Sequence, residues 1–291
     1  MTHLLVSPTE LHAVLQDPAL RVYDCRYSLM DPAHGRRSYD TAHLPGAVFV
    51  DMNRDLSVPH VAGKTSRHPL PARADWQRRV GELGITPESR VVLYDDNGGA
   101  SSARMWWMLQ WIGHATVAVL DGGWQAWQRA GFPVASTASL PAATMPYPPT
   151  APLVQLLNAS EVDGNKQLLL DARDAPRFRG ELEPIDPVAG HIPLALCSPF
   201  AANLAADGTF KSAIELREKF APTIDSSKPV VCYCGSGITA CHNILAMAAA
   251  GLPLPALYAG SWSEWITDPA RPVIPDKEAQ LAFRERWPTF V

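Results

Sequence analysis

The two halves of this 291-residue sequence repeat one another. Four short motifs of the first half recur in the second half, in the same order and with similar separations. The pairs are Asp24-Cys25-Arg26 and Asp171-Ala172-Arg173, His43-Leu44-Pro45 and His191-Ile192-Pro193, Leu93-Tyr94-Asp95 and Cys232-Tyr233-Cys234, and Gly122-Gly123-Trp124 and Gly260-Ser261-Trp262. A repeat of this length limits the fold to one that holds two copies of a single unit. The chain is therefore predicted to be a duplicated domain.

A segment rich in proline, alanine and threonine separates the two copies, from Ala135 to Val154. It has no hydrophobic periodicity, which is typical of a semi-extended linker. We therefore expect an N-terminal domain over residues 1–136, a linker over 137–153 and a C-terminal domain over 154–291.

Both copies alternate short apolar runs with longer helical patterns. The apolar runs are typical of buried strands and read LRVYDC, RVVLYD, TVAVLDGG, QLLLDA and PVVCYC. The helical patterns read SPTELHAVLQ, RADWQRRVGELG, ASSARMWWMLQWIG and GITACHNILAMAAAG. Strands that alternate with helices favour a parallel sheet covered on both faces. The predicted fold class is α/β, with two tandem domains that each hold a small parallel sheet flanked by helices.

Charge and cysteine content exclude several classes of function. The net charge is −4 and no long basic run occurs, so nucleic acid and anionic membranes are not expected as partners. No apolar stretch approaches the roughly 20 residues of a membrane span, and the start, MTHLLVSPTELHAVL, lacks the features of a signal peptide. Five cysteines make an odd count, which disfavours a disulfide framework. A cytoplasmic location is therefore predicted.

One strand of the second copy ends on a cysteine that is followed by Gly235, Ser236 and Gly237. In an open parallel sheet, the loops at the carboxyl ends of strands carry the chemistry. The glycines allow a tight turn with inward N–H groups, and a helix begins near Ile238 or Thr239, so the loop is predicted to bind an anion. Such surroundings favour the thiolate form of a cysteine. Cys234 is therefore the predicted nucleophile, with the loop residues at the substrate.

The first copy has Asp95 where the second has Cys234. A carboxylate cannot perform thiol chemistry. We therefore expect the N-terminal domain to be catalytically inactive.

Two other uses of these cysteines were considered. A zinc site formed by Cys232, Cys234, Cys241 and His242 would have a spacing unlike the usual paired ligands, so no metal is predicted. A cysteine phosphatase needs an arginine at the end of its loop to hold the phosphoryl group, and residues 235–242 contain none. Cys25, Cys197 and Cys232 are interpreted as structural residues.

The motifs DAR…RF, GHIP, CGSGITA and GSWSEW, in this order in a duplicated chain, resemble the rhodanese superfamily of sulfurtransferases. The resemblance covers essentially the whole chain. It implies two rhodanese-like domains with an inactive first copy, and a cysteine persulfide formed without a metal or organic cofactor. Members that use 3-mercaptopyruvate typically carry C-G-S-G-V-T, from which this loop differs only by Ile238, whereas thiosulfate-using members carry a basic C-R-K-G-V-T loop.

The resemblance also implies roles for residues outside the loop. Asp51 and His68 match family positions that, with Ser236, form a proposed Ser-His-Asp proton relay. Asp51 as a helix cap and His68 as a solvated loop residue remain alternatives.

Arg177 matches an arginine that binds the donor carboxylate, which suits the planar guanidinium. The family's second arginine is replaced here by Ile185. Either Arg179 takes the place of this second arginine, or a single arginine binds the donor carboxylate.

The expected activity is transfer of sulfur from 3-mercaptopyruvate to a thiol, cyanide or a protein. A thiosulfate:cyanide sulfurtransferase and a non-catalytic persulfide carrier remain alternatives. A thioredoxin-like reductant is a further candidate partner.

Overall fold

The computed structural model describes residues 4–224 and 226–274 of the chain. These residues form two compact units. The first contains the chain up to Pro59, Leu70–Val154 and Leu204–Lys211. The second contains His60–Pro69, Gln155–Asn203 and the chain from Ser212 onward. Each unit thus includes a short segment from the other half of the sequence, which the repeat alone does not indicate.

The first unit contains a five-stranded parallel sheet with helices between its strands. The strands are β1 (Leu5–Val6), β2 (Leu20–Asp24), β3 (Val48–Phe49), β4 (Arg90–Tyr94) and β5 (Val117–Leu120), in the order β1-β5-β4-β2-β3. The helices are α1 (Pro8–Ala13), α2 (His34–Thr41), α3 (Arg73–Glu82), α4 (Ala100–Trp111) and α5 (Gly123–Arg129). The central strands β4 and β5 are almost entirely buried, which explains their continuous apolar sequences, and all of α4 but its last residue is buried as well.

The second unit repeats this arrangement. Its strands are β6 (Leu156–Leu157), β7 (Leu168–Asp171), β8 (Leu196–Cys197), β9 (Val230–Tyr233) and β10 (Ala256–Tyr258), in the order β6-β10-β9-β7-β8. Its α-helices are α6 (Ala175–Phe178), α7 (Ala213–Lys219), α8 (Ala221–Ile224), α9 (Thr239–Ala249) and α10 (Ser261–Trp265). The matching strand orders confirm the predicted duplication and the α/β fold class.

The repeated Asp-x-Arg motif is explained by a buried ion pair at the end of one strand in each unit. Arg173 pairs with Asp171 at 2.6 Å, donates to the Gly190 carbonyl at 2.7 Å, and lies 4.9 Å from the centre of the Trp262 ring. Burial and the neighbouring carboxylates act in opposite directions on the pKa of Arg173, which is raised on balance. Because Arg26 makes the same set of contacts in the first unit, this arginine supports the fold of both copies.

No helix within residues 4–224 and 226–274 is long and apolar enough to cross a lipid bilayer.

Candidate active site

Cys234 lies directly after β9, at the carboxyl end of the strand, and is 2% exposed. Its Sγ accepts a hydrogen bond from the Gly237 N–H at 3.1 Å. Gly237 has a φ of +79°, and a Cβ there would lie 2.5 Å from the Ala259 carbonyl oxygen. Only glycine therefore fits this backbone position, and its N–H is directed at the sulfur. The loop therefore holds one backbone N–H donor against Sγ.

The backbone of Cys234 is fixed by the segment that begins α10. The Cys234 N–H donates to Ser261 Oγ at 3.0 Å, and the Trp262 N–H donates to the Cys234 carbonyl at 2.9 Å. Ser261 is buried and has a φ of +56°, which is uncommon for a residue other than glycine. Strained residues of this kind cluster at functional sites. The sequence analysis missed Ser261, although the change from Gly-Gly-Trp to Gly-Ser-Trp between the copies marks it.

Burial favours the neutral thiol at three of the other cysteines. Burial raises the pKa of Cys197 to about 12, and it also raises the pKa values of Cys25 and Cys232. Cys241 donates a hydrogen bond from its Sγ to the Gly237 carbonyl at 3.2 Å. The raised pKa values of Cys25, Cys197 and Cys232 fit the interpretation of these three as structural residues.

The corresponding loop of the first unit is folded around a carboxylate. Asp95 accepts hydrogen bonds from the N–H groups of Asn97, Gly99 and Ser102 at 3.1, 2.8 and 2.8 Å. Burial raises the pKa of Asp95, and these three donors oppose that rise. The loop after the fourth strand of the repeat is therefore an anion-binding loop in this copy as well. In this copy, the anion that the loop binds is the side-chain carboxylate of Asp95.

His68 and Ser236 are brought together within the second unit, since residues 60–69 belong to it. His68 Nδ1 lies 2.8 Å from Ser236 Oγ, and both side chains are buried. His68 is thus not a solvated loop residue. Asp51, the remaining member of the predicted relay, belongs to the first unit. Its Oδ1 accepts hydrogen bonds from the N–H groups of Asn53 and Arg54 at 2.8 and 3.1 Å, as a capping carboxylate does.

Arg177 lies beside the Cys234 loop and is held by two buried carboxylates. Its Nε and Nη2 donate to Glu183, with a shortest distance of 2.8 Å, and Nη2 also lies 3.0 Å from Asp186 Oδ2. Glu183 itself accepts the N–H groups of Ile185 and Asp186. The Glu-Pro-Ile-Asp turn therefore fixes the direction of the Arg177 guanidinium, which lies within 4 Å of where a Cβ on Gly235 would stand.

Arg179, the predicted substitute for the missing arginine, forms an ion pair with Glu181 at 2.8 Å and is 32% exposed. The residue nearest to Gly235 is instead Arg67, whose Nη2 would lie 2.6 Å from a Cβ at that position. Arg67 pairs with the buried Asp186 through its Nη1. The sequence analysis did not select Arg67, although it immediately precedes His68 in the SRHPLP segment.

The charges around the loop are balanced. Two guanidiniums, from Arg67 and Arg177, face two carboxylates, from Glu183 and Asp186. The site therefore offers directed N–H donors without a large excess of positive charge.

The last two predicted site residues form the start of α9. Ile238 is the buried residue that precedes the helix, and Thr239 is the first helical residue. Gly235 lies between Cys234 and Ser236 on the side of the two arginines. The structure thus places Cys234, Gly235, Ser236, Gly237, Ile238, Thr239, His68 and Arg177 at one end of β9. No cluster of three or more His, Cys, Asp or Glu suited to a metal occurs among the described residues.

Comparison with known proteins gives a consistent result. The family model "Rhodanese-like domain" matches residues 7–130 and 153–268. A "Probable 3-mercaptopyruvate sulfurtransferase" of Pseudomonas aeruginosa is 49% identical over 276 residues, which is 92% of this chain and 97% of that protein. The thiosulfate sulfurtransferase of Mus musculus is 37% identical over 260 residues, 85% of each chain.

One solved structure is similar to almost the whole of this chain. The fold of 3-mercaptopyruvate sulfurtransferase from Leishmania major matches with a TM-score of 0.82 and 32% identity, covering 98% of this chain and 78% of that one.

Proposed function

The chain belongs to the family of rhodanese-like domain proteins, and on this premise we propose that it is a sulfurtransferase that takes sulfur from 3-mercaptopyruvate. Cys234 is the residue that carries the sulfur. The observation that supports this most is the hydrogen bond from the Gly237 N–H to Cys234 Sγ, at 3.1 Å. It depends on a backbone conformation at residue 237 that only glycine can adopt in this loop. A thiolate and a persulfide anion both gain from that donor.

In the first half-reaction the Cys234 thiolate attacks the sulfur of 3-mercaptopyruvate. A sulfur–sulfur bond forms, the carbon–sulfur bond breaks, and its electron pair passes into the enolate of pyruvate. The products are the Cys234 persulfide and, once the enolate carbon takes up a proton, pyruvate. No oxidant or reductant enters this half-reaction.

The enolate needs an acid close to the leaving carbon. Ser236 is two residues from Cys234 in the sequence, and its Oγ lies 2.8 Å from His68 Nδ1, which supports a role of this pair in delivering the proton. Asp51 is included in the proposal as the third member, on the strength of the family resemblance alone.

In the second half-reaction an acceptor nucleophile attacks the outer sulfur of the persulfide. The sulfur–sulfur bond breaks and its electrons return to Cys234 as thiolate. Cyanide yields thiocyanate, and a thiol or a protein thiolate becomes a persulfide. A thioredoxin-like dithiol would release the sulfur as sulfide and leave as a disulfide. The small-molecule donor and these acceptors are the partners proposed.

The choice of donor follows from charge. Thiosulfate is a compact dianion and gains from a loop with basic side chains, whereas this loop has Gly235 and Ser236 and its arginines are balanced by Glu183 and Asp186. 3-Mercaptopyruvate carries one carboxylate, for which Arg177 is suitably placed. Thiosulfate is the second candidate donor, favoured by the two guanidiniums near Gly235.

Two further statements belong to the proposal. The N-terminal domain is inactive, because the carboxylate of Asp95 occupies the place of the nucleophile and uses the N–H groups of its loop.

The compartment is reducing, with the cytoplasm as the proposed location, which the five free cysteines support.

The test is a steady-state comparison of two reactions on the same preparation. Pyruvate release from 3-mercaptopyruvate is expected to exceed thiocyanate formation from thiosulfate in kcat/KM. Replacing Gly235-Ser236 by Arg-Lys adds two positive charges and is expected to move the preference toward thiosulfate. A wild-type protein that already prefers thiosulfate would contradict the proposed donor, and one active with neither donor would favour a persulfide carrier.

A further inference from the structure

The segment that joins the two copies lies against the first unit. Residues 141–153, here called the strap, belong to that unit, which extends to Val154. The strap contains neither helix nor strand. Five of its thirteen residues are proline, so few of its backbone N–H groups are available for hydrogen bonds. The strap is therefore held by a small number of contacts.

Backbone hydrogen bonds attach the strap to α3 and α4. Arg73 of α3 donates to the carbonyls of both Trp111 and Thr150. Three strap N–H groups donate to helix carbonyls, namely Thr144 to Gly81 at 2.8 Å, Tyr147 to Gln77 at 2.9 Å and Leu153 to Gln110 at 3.0 Å. The strap is thus attached to two helices at several points along its length.

Two glycines leave room for the strap backbone. A Cβ on Gly81 would lie 2.3 Å from the carbonyl oxygen of Met145. A Cβ on Gly113 would lie 2.7 Å from the carbonyl oxygen of Ala151. Both distances are shorter than van der Waals contact, so a side chain at either glycine would displace the strap. The first unit therefore has a channel shaped for this segment.

One side chain anchors the strap. Tyr147 is 5% exposed and is the only buried residue between 141 and 153, whereas Met145 is 83% exposed. The Tyr147 hydroxyl lies 3.1 Å from His114 Nδ1, and the two rings pack edge to face with their centres 5.6 Å apart. His114 is itself 1% exposed. The contact of Tyr147 with His114 is therefore where the strap is fixed by a buried side chain.

The surroundings of His114 favour the neutral imidazole. Burial lowers the pKa of His114, and a contact with the Thr116 backbone opposes that change. Among the described residues, none with a carboxylate forms an ion pair with His114. A proton added to this ring would therefore place an uncompensated charge at the anchor of the strap.

The other groups around the anchor keep their charge state near neutral pH. The strap has no Asp, Glu, Lys, Arg or His, and burial, with a smaller contribution from the Glu88 carboxylate, raises the pKa of Tyr147. Arg73 of α3 and Arg104 of α4 stay protonated, an exposed glutamate titrates near about pH 4.3, and β5 has no titratable residue. The other charged residues of α3 form ion pairs among themselves and with Asp55, namely Asp75, Arg78, Arg79 and Glu82. His114 is therefore the group at the anchor that gains a proton between about pH 5 and pH 7 when it becomes exposed.

We propose that residues 141–153 form a releasable strap on the first unit, and that protonation of His114 opens it as the pH falls. In the open strap His114 is exposed and has its ordinary pKa of about 6.5, whereas burial in the closed strap holds that pKa lower. The contribution of His114 to closing is therefore complete above about pH 6.5 and is lost as the pH falls below it. Because one proton is taken up on opening, the ratio of closed to open strap falls by up to about tenfold per pH unit. This inference does not depend on the proposed sulfur transfer.

Hydrogen–deuterium exchange of the full chain tests the proposal, read as protection relative to the intrinsic exchange rate at each pH. The strap amides that donate to α3 and α4 belong to Thr144, Tyr147 and Leu153, and the amides of β4 serve as the internal reference. Between about pH 7.5 and about pH 5.5 we expect protection of the strap amides to fall by up to about tenfold, with no matching fall in β4. In His114→Gln, which cannot gain the charge, strap protection should be the same at both pH values.

A pair of glycine variants provides a matched control for the channel. Gly113→Ala and Gly46→Ala both place a side chain on a left-handed residue, with φ of +86° and +76°. A Cβ on Gly113 meets the strap, whereas nothing lies within 4 Å of a Cβ on Gly46. Gly113→Ala should therefore lower strap protection at both pH values, and Gly46→Ala should leave it unchanged. Normal strap protection in Gly113→Ala would refute the channel.

The outcomes separate release of the strap from other responses to acid. Equal strap protection at both pH values in the wild type refutes the proposal. A fall of the same size in His114→Gln would assign the pH response to another group, and a parallel fall in β4 would assign it to the whole unit, so either result refutes the role of His114. If His114→Gln does not fold, NMR titration of the His114 imidazole in the wild type decides, because a pKa at or above about 6.5 refutes the proposal.

Discussion

Arg177→Ala tests the donor site most simply, because it removes one guanidinium and leaves the nucleophile in place. Arg177 holds Glu183 and Asp186 with contacts of 2.8 and 3.0 Å. After the substitution Asp186 keeps Arg67, and Glu183 keeps Arg173 at 3.4 Å and two backbone N–H groups. Neither buried carboxylate is left without a cation, so we expect the fold to persist.

The size of the effect follows from the contact that is lost. A hydrogen bond to a charged group contributes about 1.5–3 kcal/mol. Since about 1.4 kcal/mol corresponds to a factor of ten, KM for 3-mercaptopyruvate should rise roughly 10- to 100-fold. The donor is bound by this group before and during the reaction, so kcat should change far less.

The assay is the initial rate of pyruvate release over a range of 3-mercaptopyruvate concentrations, with thiosulfate as the second donor. Melting temperatures of the wild type and the variant, measured beside it, show whether the fold is retained. An equal loss with both donors would refute the reasoning, because it would assign Arg177 to the fold or to the persulfide. An unchanged KM would show that the carboxylate binds elsewhere.

Two other substitutions distinguish the parts of the site. Gly237→Ala should abolish activity with both donors and lower the melting temperature, because a left-handed residue with a side chain costs about 1–2 kcal/mol and its Cβ would lie 2.5 Å from the Ala259 carbonyl; normal activity would mean the loop tolerates rearrangement. His68→Gln should lower kcat with 3-mercaptopyruvate by about 100-fold or more and affect thiosulfate less, since sulfite leaves without protonation at carbon. Equal kcat losses in parallel assays of the two donors would argue against the proton-delivery role.

The sequence predicts those features of the molecule that depend on local pattern. The buried strands, the largely buried α4 and α9 and the turn after Cys234 follow from residues adjacent in the chain. The duplicated strand order follows from the repeat. The tight turn at Gly237 and the helix that starts at Thr239 could also be predicted, because the glycine and the helical pattern are visible in the sequence.

The features that could not be predicted depend on contacts between distant residues. Arg67 reaches Asp186 only because residues 60–69 join the second unit, and no periodicity encodes such a contact. Arg179 has the right chemistry two residues from Arg177, but it lies just after the short α6 and pairs with Glu181. Likewise, Ser261 contacts Cys234 from 27 residues away.

The central claim is that the transferred sulfur rests on Cys234, and a single-turnover experiment tests it directly. The protein is mixed with one equivalent of 3-mercaptopyruvate and no acceptor, pyruvate is counted, and the position of the added sulfur is mapped by mass spectrometry. We expect one pyruvate and one sulfur atom per chain, located on Cys234, removable by cyanide and absent in Cys234→Ser. Sulfur on Cys25, Cys197 or Cys232, whose thiols burial keeps neutral, or full turnover by Cys234→Ser, would contradict the account.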